Sequence, residues 1–306
     1  MTTPMLLRTL FHLAVLVAVP PLLLGVVNRT KAIVAGRVGP PLLQPYLDLA
    51  KLLRKGAVYS RTTTWVFRAG PAVGLAAVAT AGTLVPGPGG GAAASFAGDF
   101  VLFAYLLALA RFGTALAALD TGSSFEGMGA SRELSFASVA EPALFLVLVT
   151  LARATGTASL SGMLGPALAP AWHQAAPALL LAALALFVVA LAENARIPVD
   201  DPATHLELTM IHEVMVLDHS GPDLALILYG AAMKLYLFGA IFVHLALGFR
   251  LPGPWDAATF VAGLLGFAAL VGVTESVMAR LRLTRVPQML VGASVLSVFA
   301  LVLLLR

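Results

Sequence analysis

The stretch IPVDDPATHLELTMIHE, from Ile197 to Glu213, gathers Asp200, Asp201, Glu207 and Glu213 with His205 and His212 between two stretches that are almost wholly apolar. Two cations, Arg111 and Lys234, fall inside long apolar runs, and Glu141 and Glu275 lie in turns near the ends of two others. Charge at membrane depth is costly and needs a partner or water, so these residue types imply a buried polar network. Carboxylates beside a bilayer and next to fixed cations exchange protons with water and register electrostatic change nearby, which is the chemistry of charge relay. Plainer roles fit the same residues. Asp200 and Asp201 can cap and turn a loop before Pro202, Glu207 and Glu213 can be solvated faces of a short helix, and Glu141 and Glu275 can mark helix ends.

Other chemistries are poorly served. His205, His212 and His219 recur every seven residues, but seven residues of helix advance about 10.5 Å, too far for two of them to share an ion. HEVMV lacks the second histidine of a HExxH zinc motif, and GSSFEGMG follows no strand, so it is neither a phosphate loop nor a nucleophile elbow. His12 and His244 stand alone in apolar runs and read as packing residues. The chain has no cysteine, hence no thiolate for an iron–sulfur cluster or a Cys-type zinc site. Any redox centre belongs to a partner or a diffusible cofactor.

The elements that hold these charges are membrane helices. The chain has 306 residues, 59% of them hydrophobic and 11% charged, and a mean hydropathy of +0.94, which describes an integral membrane protein. Apolar runs predict an all-α polytopic bundle of about eight spans, over 6–27, 70–86, 99–119, 137–154, 174–193, 225–249, 257–279 and 286–305, forming one membrane domain across 1–306. The first run is expected to be a retained helix, because Arg29, Lys31 and Arg37 follow it without a convincing cleavage site. The net charge of +4 resides in loops, which fits membrane topology and excludes nucleic acid as the partner. Lys and Arg crowd the loop after the first span and are missing from PGPGGGAAASFAGD, so both termini are expected outside a plasma membrane and residues 194–224 in the cytoplasm. The glycine-rich loop reads as a flexible connector. No internal repeat is evident.

In PPLLQPYLDLAKLLRKG an apolar stripe of Leu43, Tyr46, Leu47, Leu49, Ala50 and Leu53 opposes Asp48, Lys51, Arg54 and Lys55. This predicts an amphipathic interfacial helix capped near Gly56. It serves as a surface anchor, a docking face for a soluble subunit or the mouth of a tunnel.

Three segments carry a family resemblance: GRVGPPLLQPYLDLAKLLRK (Gly36 to Lys55), FEGMGASRELSFASVAEPAL (Phe125 to Leu144) and ENARIPVDDPATHLELTMIHEVMVLDHSG (Glu193 to Gly221). They resemble the membrane-anchor subunit of formate hydrogenlyase-type, energy-converting membrane-bound nickel–iron hydrogenases, and more distantly the complex I subunit that lines the quinone tunnel. The resemblance implies a non-catalytic membrane subunit of an oxidoreductase complex that anchors a soluble electron-transfer arm and couples its chemistry to proton or sodium translocation. Soluble hydrogenase-like large and small subunits would hold the nickel–iron centre and iron–sulfur clusters, antiporter-like subunits would sit beside the chain in the bilayer, and this chain would bind no cofactor. Carried over, Gly36, Arg37, Gly39, Pro40, Gln44, Asp48 and Lys51 match the docking segment. Arg132, Glu133 and Glu141 match the polar start of a core span, and Glu193, Arg196, Pro198, Asp200, Glu207 and Ser220–Gly221 match the acidic loop. The alternative is a quinone-binding subunit of a complex I-like NAD(P)H or ferredoxin dehydrogenase. Val199 stands where complex I has an aromatic residue, PATHLE keeps one glutamate, and an insertion around MIHEVM follows, which points to the hydrogenase branch.

Overall fold

The computed structural model describes residues 3–200, 210–248 and 254–305, so Asp201, His205 and Glu207 lie outside the described residues. Those residues form helices and no strand, as the hydropathy pattern predicts for a multi-pass membrane protein. The first expected span is two helices, α1 (Thr3–Ala18) and α2 (Pro20–Val34), bent by 44°. Pro20 and Pro21 supply no amide hydrogens at the junction, so the helical ladder cannot run straight through it. The amphipathic helix is α3 (Gln44–Leu53), with Pro45 in its first turn, where a missing donor costs nothing.

The remaining helices are α4 (Trp65–Leu84), α5 (Asp99–Asp120), α6 (Ser124–Thr155), α7 (Leu160–Met163), α8 (Leu168–Glu193), α9 (Gly221–Leu247), α10 (Pro254–Val277) and α11 (Val286–Leu303). Among the described residues six helices are long and apolar enough to span a bilayer, and the bent α1–α2 pair makes a seventh. The span expected over 70–86 corresponds to α4, which is long enough but diluted by Arg68, Gly70, Gly74 and Gly82. Asp120 holds its start, accepting from the Thr64 and Phe67 amides at 2.6 and 3.2 Å.

Small residues let the helices close up, since apolar side chains gain little from leaving lipid. A Cβ on Gly70 would lie 2.8 Å from Ala117 Cβ and 2.9 Å from Gly113 O, so α4 and α5 meet almost backbone to backbone. The most buried helix, α9, packs against α2, α3, α4, α8 and α10, while α6, α8 and α11 form a second group. Fully buried Leu23, Phe103, Leu148, Leu179, Phe238 and Ile241 fill the middle.

The glycine-rich loop between α4 and α5 is more tightly held than its composition suggests. Its start packs on buried histidines: a Cβ on Gly87 would collide with His12 Nδ1, and His244 Nε2 lies 3.0 Å from Pro86 O. The amides of Gly89 and Ala92 then donate to Asp256 and Ser161 at 3.1 and 3.2 Å. Glycine allows this close approach, and the exposed backbone donors find acceptors on neighbouring helices.

Candidate functional site

Arg111 enters the bundle from α5, with its side chain 6% exposed. One terminal nitrogen donates to Glu193 Oε2 at 2.6 Å, the other donates to Glu141, and Nε lies 3.5 Å from Glu133 Oε1. Lys234 Nζ, from α9, stands 3.7 Å from the same Glu193 Oε2. Glu133 and Glu141 are eight residues apart on α6, a little over two turns, which places both on the face toward Arg111. Glu193 is the last residue of α8. Four helices therefore bring together three carboxylates and two cations, an arrangement with one negative charge in excess that a proton can neutralise.

The network reaches outward on two sides. A cavity between α4, α5 and α9 is lined by Arg111, Thr114, Glu133, Glu193, His212 and Lys234 together with the apolar Leu75, Val78 and Ile227. An open groove on the flank between α5 and α6 is lined by Tyr105, Phe112, Leu134, Ser138 and Glu141. The Glu141 side chain is 47% exposed there, whereas that of Glu193 is 3% exposed.

Beyond Glu193 the chain turns through Ala195, at φ +49°, and enters the acidic loop. The root of that loop is clamped by α10 and the segment after it. Arg196 Nη1 is 3.4 Å from Glu275 Oε1, Leu281 N donates to Pro198 O at 2.9 Å, and Arg280 Nη2 is 2.8 Å from Asp200 Oδ1. Asp200 also accepts the His212 amide at 3.0 Å, so it joins the two ends of the acidic segment. Arg132 donates to Met210 O at 2.8 Å, tying the start of α6 to the far end of the loop. Glu213 opens a short 3-10 helix, Glu213–Val216, and is partly buried.

The residues singled out in the sequence thus divide into two groups. Arg111, Glu133, Glu141, Glu193 and Lys234 form one network, with Asp200, Arg132 and Glu213 around the loop above it. Arg37, Asp48, Lys51 and Arg54 are exposed on and beside α3, where Gln44 donates to Asp48 at 2.8 Å. Arg196, carried over with the acidic loop and also expected to take part in partner docking, pairs with Glu275. The Arg280 and Lys31 contacts escaped sequence reasoning because both residues read as ordinary loop cations; only their pairing with carboxylates distant in sequence reveals them.

His212 and His219 have separate surroundings. His219 stacks on Phe67, with ring centroids 3.9 Å apart and planes 8° from parallel. The pKa of His212 is pushed down to about 4, first by burial and then by the neighbouring charge of Lys234, with Arg111 adding to it against Asp200. Its folded value lies below the ordinary histidine value of 6.5, so the unfolded chain binds the extra proton first, and the associated stability is present above pH 6.5 and lost as the pH falls toward 4. His212→Asn is expected to flatten this part of the stability–pH profile. Thermal midpoints of the detergent-purified chain across that window check it, and a profile identical to that of the parent overturns it.

The sequence profile of the NADH dehydrogenase family matches residues 7–305. Formate hydrogenlyase subunit 4 of Escherichia coli K12 is 32% identical over 295 residues, covering 92% of this chain and 93% of that one. Hydrogenase-4 component C of the same organism is 31% identical over 280 residues, covering 87% and 85%. One chain of the NADH-quinone oxidoreductase of Rubrobacter xylanophilus is 30% identical over 214 residues, covering 69% and 64%. A chain in the solved structure of the membrane-bound sulfane sulfur reductase, an archaeal respiratory membrane complex, shares the fold at a TM-score of 0.83 with 20% identity, covering 98% of this chain and 99% of that one. With a matching profile over nearly its whole length and relatives above 30% identity, this chain belongs to the NADH dehydrogenase family.

Proposed function

We propose that this chain couples electron transfer in a soluble arm to ion movement across the plasma membrane, using the Arg111 network as the first intramembrane relay. It is a membrane subunit of a complex I-like respiratory or hydrogenase complex. The observation that carries the proposal is the buried Arg111–Glu193–Lys234 constellation, with Asp200 and His212 beside it. A charge change beside the loop alters the cost of the excess negative charge, and proton uptake through the cavity beside His212 balances it. Glu141 faces the flank, where a half-exposed carboxylate in a membrane is costly unless another chain covers it, so an antiporter-like subunit is the natural neighbour. The soluble hydrogenase-like subunits dock at α3 and the exposed residues around it. The electron-carrying nickel–iron and iron–sulfur groups belong to them, because this chain offers no thiolate. On this reading the α3 end is cytoplasmic and both termini face outward.

The cavity supports a second reading. Its mixed lining, apolar side chains beside the donors His212 and Lys234, suits an isoprenoid quinone whose ring oxygens accept hydrogen bonds. Quinone-dependent turnover and bound quinone in the purified complex would favour it.

The test uses the whole complex in sealed vesicles. Lys234→Met and Glu141→Gln remove charge while keeping much of the shape. Each should assemble at normal yield, while the ion gradient formed per electron collapses. Normal yield with a full gradient in both variants would sink the relay.

A further inference from the structure

The Arg111 relay leaves a second ionic cluster unused. Glu275, two residues before the end of α10, has a side chain with no exposed surface, yet it holds two cations from different parts of the chain. Lys31 Nζ, from the last turn of α2, is 2.7 Å from Oε2, and Arg196 Nη1, at the root of the acidic loop, is 3.4 Å from Oε1. Gly272, nearly one turn earlier, lets α10 lie directly against α2, since a Cβ there would be 2.8 Å from Thr30 Cβ and 2.9 Å from Val27 O. Arg29, two residues before Lys31, donates to Gly39 O at 3.2 Å and fixes the start of the segment leading to α3. On the other side Arg280 and Leu281 hold Asp200 and Pro198, seven and five residues beyond Glu193.

We propose that Glu275 is a positioning residue that links the α2–α3 segment to the root of the acidic loop, so that a shift at the docking face reaches Glu193 and Arg111 through the end of α10. The inference rests on the coupling function proposed above and adds the mechanical connection it lacks. Burying a carboxylate between two cations gains little stability over a neutral, well-packed substitute. What the charge adds is a single bridge gripping both segments at once. Transmission through a packed element held at both ends needs no continuous chain of titrating groups. Glu275 forms its ion pairs with Lys31 and Arg196, outside the relay, so it acts through Arg196 and the loop root.

The test uses the complete complex in sealed vesicles, with Glu275→Gln, Lys31→Gln and the double variant, beside Lys234→Met. Glutamine keeps the shape and part of the hydrogen bonding but not the ionic grip. Electron transfer and yield should stay near the parent values, while the gradient formed per electron falls by about fivefold or more in each single variant. The double variant should be no worse than either single one, because both cut the same link. Normal yield with an unchanged gradient in the single variants overturns the proposal. If the single variants assemble poorly, the double variant decides, since it leaves no charge from this pair unpaired. A double variant that regains yield with a low gradient supports the link; full pumping, or a yield that stays low, makes the role structural and overturns it. Loss of gradient in Lys234→Met alone defeats this inference and spares the relay. Full pumping in both Lys234→Met and Glu141→Gln defeats the relay itself.

Discussion

Arg111→Met is expected to destabilise the bundle by about 3–5 kcal/mol, the usual penalty for removing one side of a buried ion pair. Glu193 would keep only Lys234, at 3.7 Å, in place of the Arg111 terminal nitrogen that donates to both its oxygens, and Glu133 and Glu141 would lose their shared cation. Methionine fills the volume but leaves the three carboxylates of α6 and α8 around an apolar side chain from α5. Lower yield and a lower thermal midpoint in mild detergent are the measured outcome. Adding Glu193→Gln should restore a substantial part of both, because it removes the charge most dependent on Arg111. Arg111→Lys should fall between, since an ammonium keeps the charge but cannot reach three acceptors with a planar fork. An unchanged midpoint for Arg111→Met would mean that the carboxylates do not depend on this cation, and the network would lose its centre.

The same residues show what sequence can reveal. Arg111 and Lys234 announce themselves because a charge inside an apolar run is expensive, and the structure places both on Glu193. The pattern of α3 is equally plain, with a stripe of leucines opposite Asp48 and Lys51. Glu275 carries the same cost signal but no hint of its partners, since Lys31 is 244 positions away in the chain and lies in a basic segment that looks merely topological. Helix periodicity reports which face a residue occupies and is silent on which helices meet. The bend at Pro20 and the weaker hydropathy of α4 are visible as proline and glycine, but a count of apolar residues alone blends them into full spans. The loop after α4 misleads through composition: glycine signals freedom, yet here Gly87 packs closely on His12 and Gly89 donates to Asp256.

On the proposed docking role of α3, replacing Asp48, Lys51 and Arg54 together with alanine is expected to release the soluble subunits while the membrane bundle still inserts at its normal level. None of α3 is buried within the chain, and Leu43, Leu47 and Leu53 are each more than half exposed, so the apolar stripe can hold the helix at the bilayer surface without help from these charges. The charged side is then available to a partner. Loss of even one well-packed charged contact worth about 2 kcal/mol weakens an interface by roughly thirtyfold, and three are removed here. Gln44 loses its bond to Asp48 in the same variant, but both groups can return to water, so helix stability changes little. Co-purification of the soluble subunits through a tag on this chain measures the outcome. A charge-based interface should also loosen in the parent complex as ionic strength rises, because added salt screens exposed pairs. Full co-purification of the triple variant at ordinary salt would make α3 a membrane anchor alone, and the docking site would have to lie on another part of the surface.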